Sequence, residues 1–493
     1  MKRSFSIICL AVLFCSCADF LSETDPNAVT TESYYINTED VEMSVRGCYN
    51  ALYEDGYFGM MYLYTEVRSD NTTWQIPGAN NGVYYQFHDY TLRTDNTYLY
   101  THYTGLYLCI SRCNTVLAHI DDVAWSDSQR RAQLEAEVRF LRALSYYYLV
   151  AQWGDVPCIT RTFATKDEVQ AATKRDPKAR IYETIGTDLD YVLTSPLEEV
   201  NSAATVGRAS KAAAAALYGK VLLTQAADED FAADSEALVD KACEKLTYAW
   251  ETRSFESLTE IDYASLWNLD SQKNCKEHIF QVNYLSGNEQ LGSEYAWRFQ
   301  PEATTGLNSN KAGQGHNIFE QNLIDEFEAG DKRAAATYAY YASADIYYCT
   351  KYVDLVCGAS GYGGNNWIVF RYADVLLMLA EAEYLQGNET SAVKRINEVR
   401  ARAGLPDYDP DYVPSDPEET VRTVWEQLIH ERRCEFAGEN QRWFDLVRMY
   451  PKEELIALMQ SRNGNFGEKD LLLPIPNTEY LLNPSGMYQN PGY

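Results

Sequence analysis

The chain has 493 residues, enough to bury a substantial core, and it carries a formal net charge of −29. A surface this acidic repels phosphate backbones and anionic lipid headgroups, which excludes nucleic acid as a partner. The same charge suits a neutral or a cationic ligand and does not choose between them.

The first thirty residues have the pattern of an export signal. Two basic residues precede an apolar run, residues 7–15, which is shorter than the roughly 20 apolar residues needed to cross a bilayer. A small residue and Cys17 follow, and then an acidic, polar stretch begins. We therefore expect residues 1–16 to be a lipoprotein signal peptide, Cys17 to be acylated and residues 17–30 to be a tether. The alternative is an ordinary secretory signal that is cleaved nearby.

Beyond the tether, apolar positions recur at the three- and four-residue steps that predict α-helices. The predicted helices cover residues 128–153, 181–193, 212–225, 237–250, 371–386, 391–403 and 416–434. Two pairs, 212–250 and 371–403, combine small residues with tight turns, as tetratricopeptide repeats do. We therefore predict a mainly α fold in one domain, residues 31–493. It is an irregular, tetratricopeptide-like helical-repeat scaffold with long aromatic-rich loops and little strand.

Three long stretches interrupt the helical pattern: residues 68–100, 283–317 and 338–367. Loops this long inside a folded domain are usually functional or disordered. Their aromatic content argues against disorder, because such side chains bury well. We therefore expect these loops to carry the function.

Residue types that are typical of catalytic and metal sites are scattered. The six histidines stand singly, and no nucleophile elbow, zinc-protease helix or phosphate-binding loop occurs. Cys109 and Cys113 are expected to pack in a helix, and a Cys349–Cys357 bridge is the less favoured alternative. The acidic turn 228–234 could hold calcium but lacks the spacing of an EF-hand loop. We predict no catalytic residue, no metal site and no cofactor.

Two charged clusters could be mistaken for active sites. Their members are Glu137, Arg139 and Arg142 in one helix, and Glu431, Arg432, Arg433 and Asp445 further along the chain. Charges three or four residues apart on a helix pair with each other, and arginine bridges packed helices well. We interpret both clusters as salt-bridge networks of the scaffold.

Five stretches of the sequence together carry a family resemblance. They are residues 17–21 with Pro26, 136–144 with 154–157, 371–377 with 396–404, 431–433 with 442–446, and 472–476 with 489–493. In the last of these, Pro474 and Pro476 fix an extended run before a turn-rich tail whose final aromatic can pack back. The chain resembles the SusD/RagB family, surface lipoproteins of Bacteroidetes that capture nutrients.

The resemblance implies a non-enzymatic glycan-binding protein, anchored in outer-membrane lipid at the cell surface through Cys17. It implies delivery of an oligosaccharide or polysaccharide to a TonB-dependent, SusC-like transporter that the protein caps as a lid. The alternatives are a surface glycoside hydrolase, a family member that takes peptides or other nutrients, and a helical scaffold that holds a protein partner.

We expect loop aromatics to hold the ligand, because aromatic faces stack on pyranose rings while polar side chains reach the hydroxyls. Family members take such aromatics from two parts of the chain, which here contain Trp74 and Trp297. The other candidates are Arg68, Asp70, Asn80, Asn81, Tyr84 and Tyr85 near Trp74, Tyr295 and Arg298 near Trp297, and Trp367 in the third loop. Trp267 and Trp443 are expected to be core residues.

Overall fold

The computed structural model describes residues 34–413 and 421–493. The expected signal peptide, Cys17 and the tether lie outside these residues. Within them the fold is mainly helical, as predicted. The α-helices of at least eight residues in this part are α1 (Thr38–Asn50), α2 (Thr97–His119), α3 (Ser128–Trp153), α4 (Lys178–Thr194), α5 (Lys211–Ala226), α6 (Ser235–Glu251), α7 (Tyr372–Leu385), α8 (Glu389–Ala403), α9 (Val424–Glu435), α10 (Arg442–Met449) and α11 (Lys452–Arg462). Shorter helices lie at Met61–Tyr64, Tyr85–His88, Lys166–Ala172, Tyr295–Phe299, Gln321–Ile324, Lys332–Thr337 and Asn477–Leu482.

The ends of α3 show how local signals set a helix. The Asp127 carboxylate accepts the first backbone N–H groups, and Gly154 ends the helix in a backbone conformation with φ of 71°. The predicted bounds of this helix are confirmed, and most other predicted bounds lie within three residues of the observed ones.

The prediction for α9 was wrong at its start. Its acidic, proline-initiated start, residues 416–419, lies outside the described residues, and residues 421–423 are not helical. The helix begins at Val424, because Thr423 and Glu426 form a capping box there.

The predicted helix pairs are confirmed. Helix α5 packs on α6, α7 packs on α8, and α3 lies between α2 and α4. A β-carbon at Gly219 of α5 would come within 2.3 Å of the Leu246 side chain of α6, so only glycine permits this approach. Small residues therefore set the spacing between paired helices.

Two small sheets connect the predicted loop regions. The strands are β1 (Thr72–Thr73), β2 (His278–Val282), β3 (Ile318–Phe319), β4 (Tyr338–Tyr341), β5 (Ile346–Cys349) and β6 (Trp367–Arg371). One antiparallel sheet has the order β1-β3-β5-β4, in which Thr73 pairs with Ile318 and Ile318 pairs with Tyr348. The other sheet pairs β2 with β6. Segments from the first and third loop regions, and the two residues that directly follow the second, therefore meet at the first sheet.

The charged clusters belong to the interior, and their interpretation as scaffold networks is confirmed. The guanidinium of Arg142 donates two hydrogen bonds to Asp188 of α4, at 2.7 and 2.8 Å. Arg432 connects Asp374 of α7 to Asp445 of α10. Other members pair in the same way: Glu137 with Arg208, Arg139 with Glu135 and Asp188, Glu431 with Arg333 and Arg400, and Arg433 with Asp70 and Glu326.

The closing segment packs back onto α3, as its proline-rich sequence predicted. The Trp153 indole N–H donates to the Pro474 carbonyl at 2.9 Å, and Ile475 is fully buried. The Tyr493 hydroxyl lies 3.2 Å from an Asp470 carboxylate oxygen. The segment is therefore a part of the core packing.

The cysteines and the acidic turn in the described part of the chain form neither a disulfide bond nor a metal site. All nine of its cysteines are free thiols, including Cys349 and Cys357. Asp228 of the acidic turn binds Lys178, and no group of three or more His, Cys, Asp or Glu side chains among the described residues could hold a metal ion. No described helix is both long enough and apolar enough to span a membrane.

Candidate ligand-binding surface

Trp74 directly follows β1 and is held by backbone pairing on both sides. Thr73 pairs with Ile318, and the Gln75 N–H donates to the Gly315 carbonyl at 2.9 Å. The indole stacks on Tyr84, with ring centroids 5.2 Å apart and an interplanar angle of 15°. Its ring is only 4% exposed, and its buried Nε1 has no acceptor among the described residues. Trp74 is therefore the inner layer of an aromatic stack with one unused donor.

Tyr84 and Tyr98 form the outer layer of this stack. Both are half-buried, their rings lie 4.5 Å apart, and their hydroxyls share a hydrogen bond of 2.7 Å. The Asn80 amide lies 3.4 Å from the Tyr98 hydroxyl, and both Asn80 and Asn81 are exposed. Desolvation and the hydrogen bond with Tyr84 raise the pKa of Tyr98, so the Tyr98 hydroxyl stays neutral. Apolar ring faces and amide groups therefore lie side by side at the surface.

His316 connects this stack to the second predicted part of the site. Its ring lies 4.1 Å from that of Trp74, edge to face, and its backbone N–H donates to the Arg298 carbonyl. Its Nδ1 shares a hydrogen bond of 2.8 Å with the Tyr62 hydroxyl. Burial and the nearby Arg298 lower the pKa of His316, so the ring is neutral. The structure thus brings the Trp74 region and the Arg298 region together.

Trp297 lies next to Arg298, whose guanidinium carbon is 5.2 Å from its ring, and it is covered. Its ring is 6% exposed, and the Lys311 ammonium lies 3.7 Å from its centroid. A β-carbon at Gly361, where φ is 76°, would lie only 3.0 Å from the indole. Lys311 also lies 5.3 Å from the half-buried ring of Tyr362. Like Trp74, Trp297 is an inner ring, with a tyrosine nearer the surface.

Four other predicted site residues lie in the interior, where they bind protein groups. Arg68 stacks on Trp443, Asp70 pairs with Arg442, Tyr295 packs on Trp367, and Trp367 also stacks on Tyr352. Tyr85 packs against His88, with ring centroids 5.1 Å apart. The expectation that Trp267 and Trp443 are core residues is confirmed by their burial.

Sequence reasoning missed Tyr98, His316, Lys311 and Tyr362. The prediction placed the site on loops, whereas Tyr98 lies in the first turn of α2. A local signal did exist there: Asn96 caps α2, so the chain leaves the loop beside Tyr98. His316, Lys311 and Tyr362 approach the site only through tertiary contacts.

Two family models match the chain. The SusD family model matches residues 332–493, and a SusD-like model described as starch-binding associating with outer membrane matches residues 19–223. The SusD-like protein P2 of Formosa agariphila is 25% identical, over 100% of both chains. A SusD-like protein of Bacteroides ovatus is 22% identical, over 91% of this chain and 83% of that protein. The chain belongs to the SusD/RagB family.

Solved structures share the fold. A laminarin-binding SusD-like protein superposes with a TM-score of 0.76 at 24% identity, covering 93% of this chain and 100% of that chain. Surface glycan-binding protein A from Bacteroides thetaiotaomicron, solved in complex with laminarihexaose, gives a TM-score of 0.76 at 19% identity, covering 92% and 99% of the two chains.

Proposed function

We propose that this chain is a glycan-binding lipoprotein of the outer-membrane surface. It captures an oligosaccharide or polysaccharide and delivers it to a TonB-dependent, SusC-like transporter. Family membership supports this proposal, as do similar structures whose names refer to laminarin or glycan binding. The observation that carries it is the layered surface in which Tyr84 stacks on Trp74 and Tyr98 packs on Tyr84, beside exposed amides.

This surface offers the groups that a neutral sugar needs. The half-exposed rings of Tyr84 and Tyr98 present apolar faces to the C–H groups of a pyranose, while Asn80 and Asn81 reach its hydroxyls. Since Tyr84 covers Trp74, the tyrosines make the contact and the tryptophan fixes their position. Binding of this kind requires no general acid, general base or cofactor.

Replacing both Tyr84 and Tyr98 by alanine is expected to weaken glycan binding by about thirtyfold or more, because an aromatic anchor at the centre of a site is commonly worth at least about 2 kcal/mol. The melting temperature should change little, because both rings are half-exposed. Trp74→Ala is a poorer test, because a large buried ring leaves a cavity that costs about 3–5 kcal/mol of stability. Calorimetry with a panel of neutral hexasaccharides, including laminarihexaose, measures the effect.

Tyr340→Ala is the matched control, because Tyr340 is a tyrosine of β4 that is 51% exposed. This variant should bind like the wild type. Undiminished affinity in the folded double variant would remove Tyr84 and Tyr98 from the site. Specific cleavage of the glycan by the wild type, abolished by changing one carboxylate, would instead favour a hydrolase.

The membrane part of the proposal rests on the sequence around Cys17 and on family membership. Cys17→Ala is expected to release the protein from the membrane fraction, whereas Cys243→Ala, at a half-buried free thiol, should not. Solubilised wild-type protein from cells grown on the inducing glycan is expected to co-purify with a barrel transporter. Normal anchoring of Cys17→Ala would contradict the acylation, and purification without any barrel protein would contradict the partner.

A further inference from the structure

A cavity of about 260 Å³ lies next to the proposed sugar surface, and the proposed function leaves it unused. Its lining includes His88, Tyr90, Glu320, Asn322, Arg462 and Asn463. His88 Nε2 lies 3.3 Å from the hydroxyl of Thr73, the residue before Trp74. Because consecutive residues of an extended strand point to opposite faces, the cavity lies across the backbone from the Trp74 stack.

Arg462 has an unusual position in this cavity. Its side chain is only 20% exposed, yet its guanidinium donates no hydrogen bond to a described residue, and its buried Nη1 has no hydrogen-bond partner among them. Every other buried or half-buried arginine in the described part of the chain donates at least one hydrogen bond to a protein group. Buried donors normally have a hydrogen-bond acceptor, so the buried Nη1 of Arg462 leaves one hydrogen bond that a ligand in the cavity can accept.

Glu320 supplies the complementary half of the arrangement. One of its carboxylate oxygens lies 3.9 Å from Arg462 Nη2, too far for a hydrogen bond, and no described protein group donates to that carboxylate. Its backbone is held in place, since the Glu320 N–H donates to the Asn71 carbonyl at 2.9 Å. A donor and an acceptor thus form a loose ion pair, and neither side chain makes a hydrogen bond with any described residue.

We propose that this cavity is a second sugar-binding site, which takes a neutral polyhydroxy ring with one of its hydroxyl groups bridging Arg462 and Glu320. A hydroxyl group accepts from a guanidinium and donates to a carboxylate at the same time, so it satisfies both side chains. An anion would be repelled by Glu320 and a cation by Arg462. The cavity is slightly smaller than the pockets of about 300 Å³ or more that hold drug-sized ligands, so it suits a single sugar unit.

This inference rests on the proposed function and is tested in a background where the first site is disabled. The Tyr84→Ala, Tyr98→Ala protein is expected to keep weak binding of the best neutral hexasaccharide of the panel, detected by saturation-transfer NMR. Adding Arg462→Met should weaken that remaining binding by about tenfold or more, because hydrogen bonds to a charged group are lost. Glu320→Gln should weaken it less, since the amide still accepts a hydrogen bond. Arg93→Gln, at an exposed arginine paired with Asp95, is the control and should have no effect.

A second measurement separates binding from a structural role. Since Arg462 makes no hydrogen bond with any residue that the structure describes, Arg462→Met should leave the melting temperature unchanged or raise it. A clearly lowered melting temperature would assign Arg462 to the scaffold and overturn the inference. Tighter binding of hexagalacturonate than of the neutral sugars would overturn the inference that the ligand is neutral.

The two proposals fail in different ways. If the wild type binds a hexasaccharide but the Tyr84→Ala, Tyr98→Ala protein binds none, the second site is refuted and the proposed function stands. If Arg462→Met leaves the remaining binding intact, the second site is also refuted. If the wild type binds no glycan of the panel, the proposed function fails and the second site fails with it.

Discussion

Arg371→Ala is expected to lower the free energy of unfolding by about 3–5 kcal/mol, or to prevent folding, because it leaves buried carboxylates without their positively charged partner. Arg371 ends β6 and is almost completely buried. It donates to Glu277 and to Glu439, each at 2.9 Å, and to Glu435. Burial alone would raise the pKa of Glu435, but Arg402, Arg371 and Arg333 outweigh it and hold that pKa well below its usual range. Without Arg371, too little positive charge remains near these buried carboxylates to balance their negative charge.

Chemical denaturation at neutral pH measures the effect. Arg371→Met should also destabilise, because it restores the volume of the side chain but not its charge. Arg93→Ala removes an exposed arginine and should leave the unfolding midpoint unchanged. An Arg371→Ala protein that unfolds at the wild-type midpoint would show that the remaining cations neutralise the cluster unaided.

Deleting residues 472–493 is expected to abolish cooperative folding. Leu473, Ile475 and Met487 are each buried to within 1% of completely, and burying such side chains is worth about 1.5–3 kcal/mol each. Their sum approaches the whole stability of a typical domain, about 5–15 kcal/mol. The deletion would also leave the buried Trp153 indole without its acceptor, the Pro474 carbonyl. Near-ultraviolet circular dichroism and resistance to protease report the loss.

A milder variant keeps this prediction measurable if the shortened chain is insoluble. The Asn490 amide donates to the carbonyls of Trp153 and Leu473, and its oxygen accepts from Arg175. Asn490→Ala should therefore lower stability by about 1–3 kcal/mol, the cost of leaving buried polar groups unsatisfied. Leu482→Ala, at an exposed leucine of the same segment, should have no effect. A native spectrum from the shortened chain would mean that the segment is an addition to a complete core.

The sequence by itself determined the helices and the scaffold. Helix caps act within a few residues, so Asp127 and Gly154 set the bounds of α3. Small residues in the sequence indicated which helices pair. The five stretches that include 371–377 and 472–476 together pointed to the family. The sequence also showed that the arginine clusters were structural, because helical spacing and arginine chemistry are local facts.

Only the tertiary structure decided which charged side chains pair with each other and which side chains form the binding surface. Arg142 pairs with Asp188 of a neighbouring helix, a contact that depends on how α3 and α4 pack. Trp74 and Arg298 meet through His316 because β1 pairs with β3, and the pairing partner of a two-residue strand has no signature in the sequence. The same packing buries Trp74 and Trp297 and leaves Tyr84 and Tyr98 partly exposed. Exposure is a property of the assembled surface, so an aromatic in a loop does not reveal by its sequence which of its faces remains open.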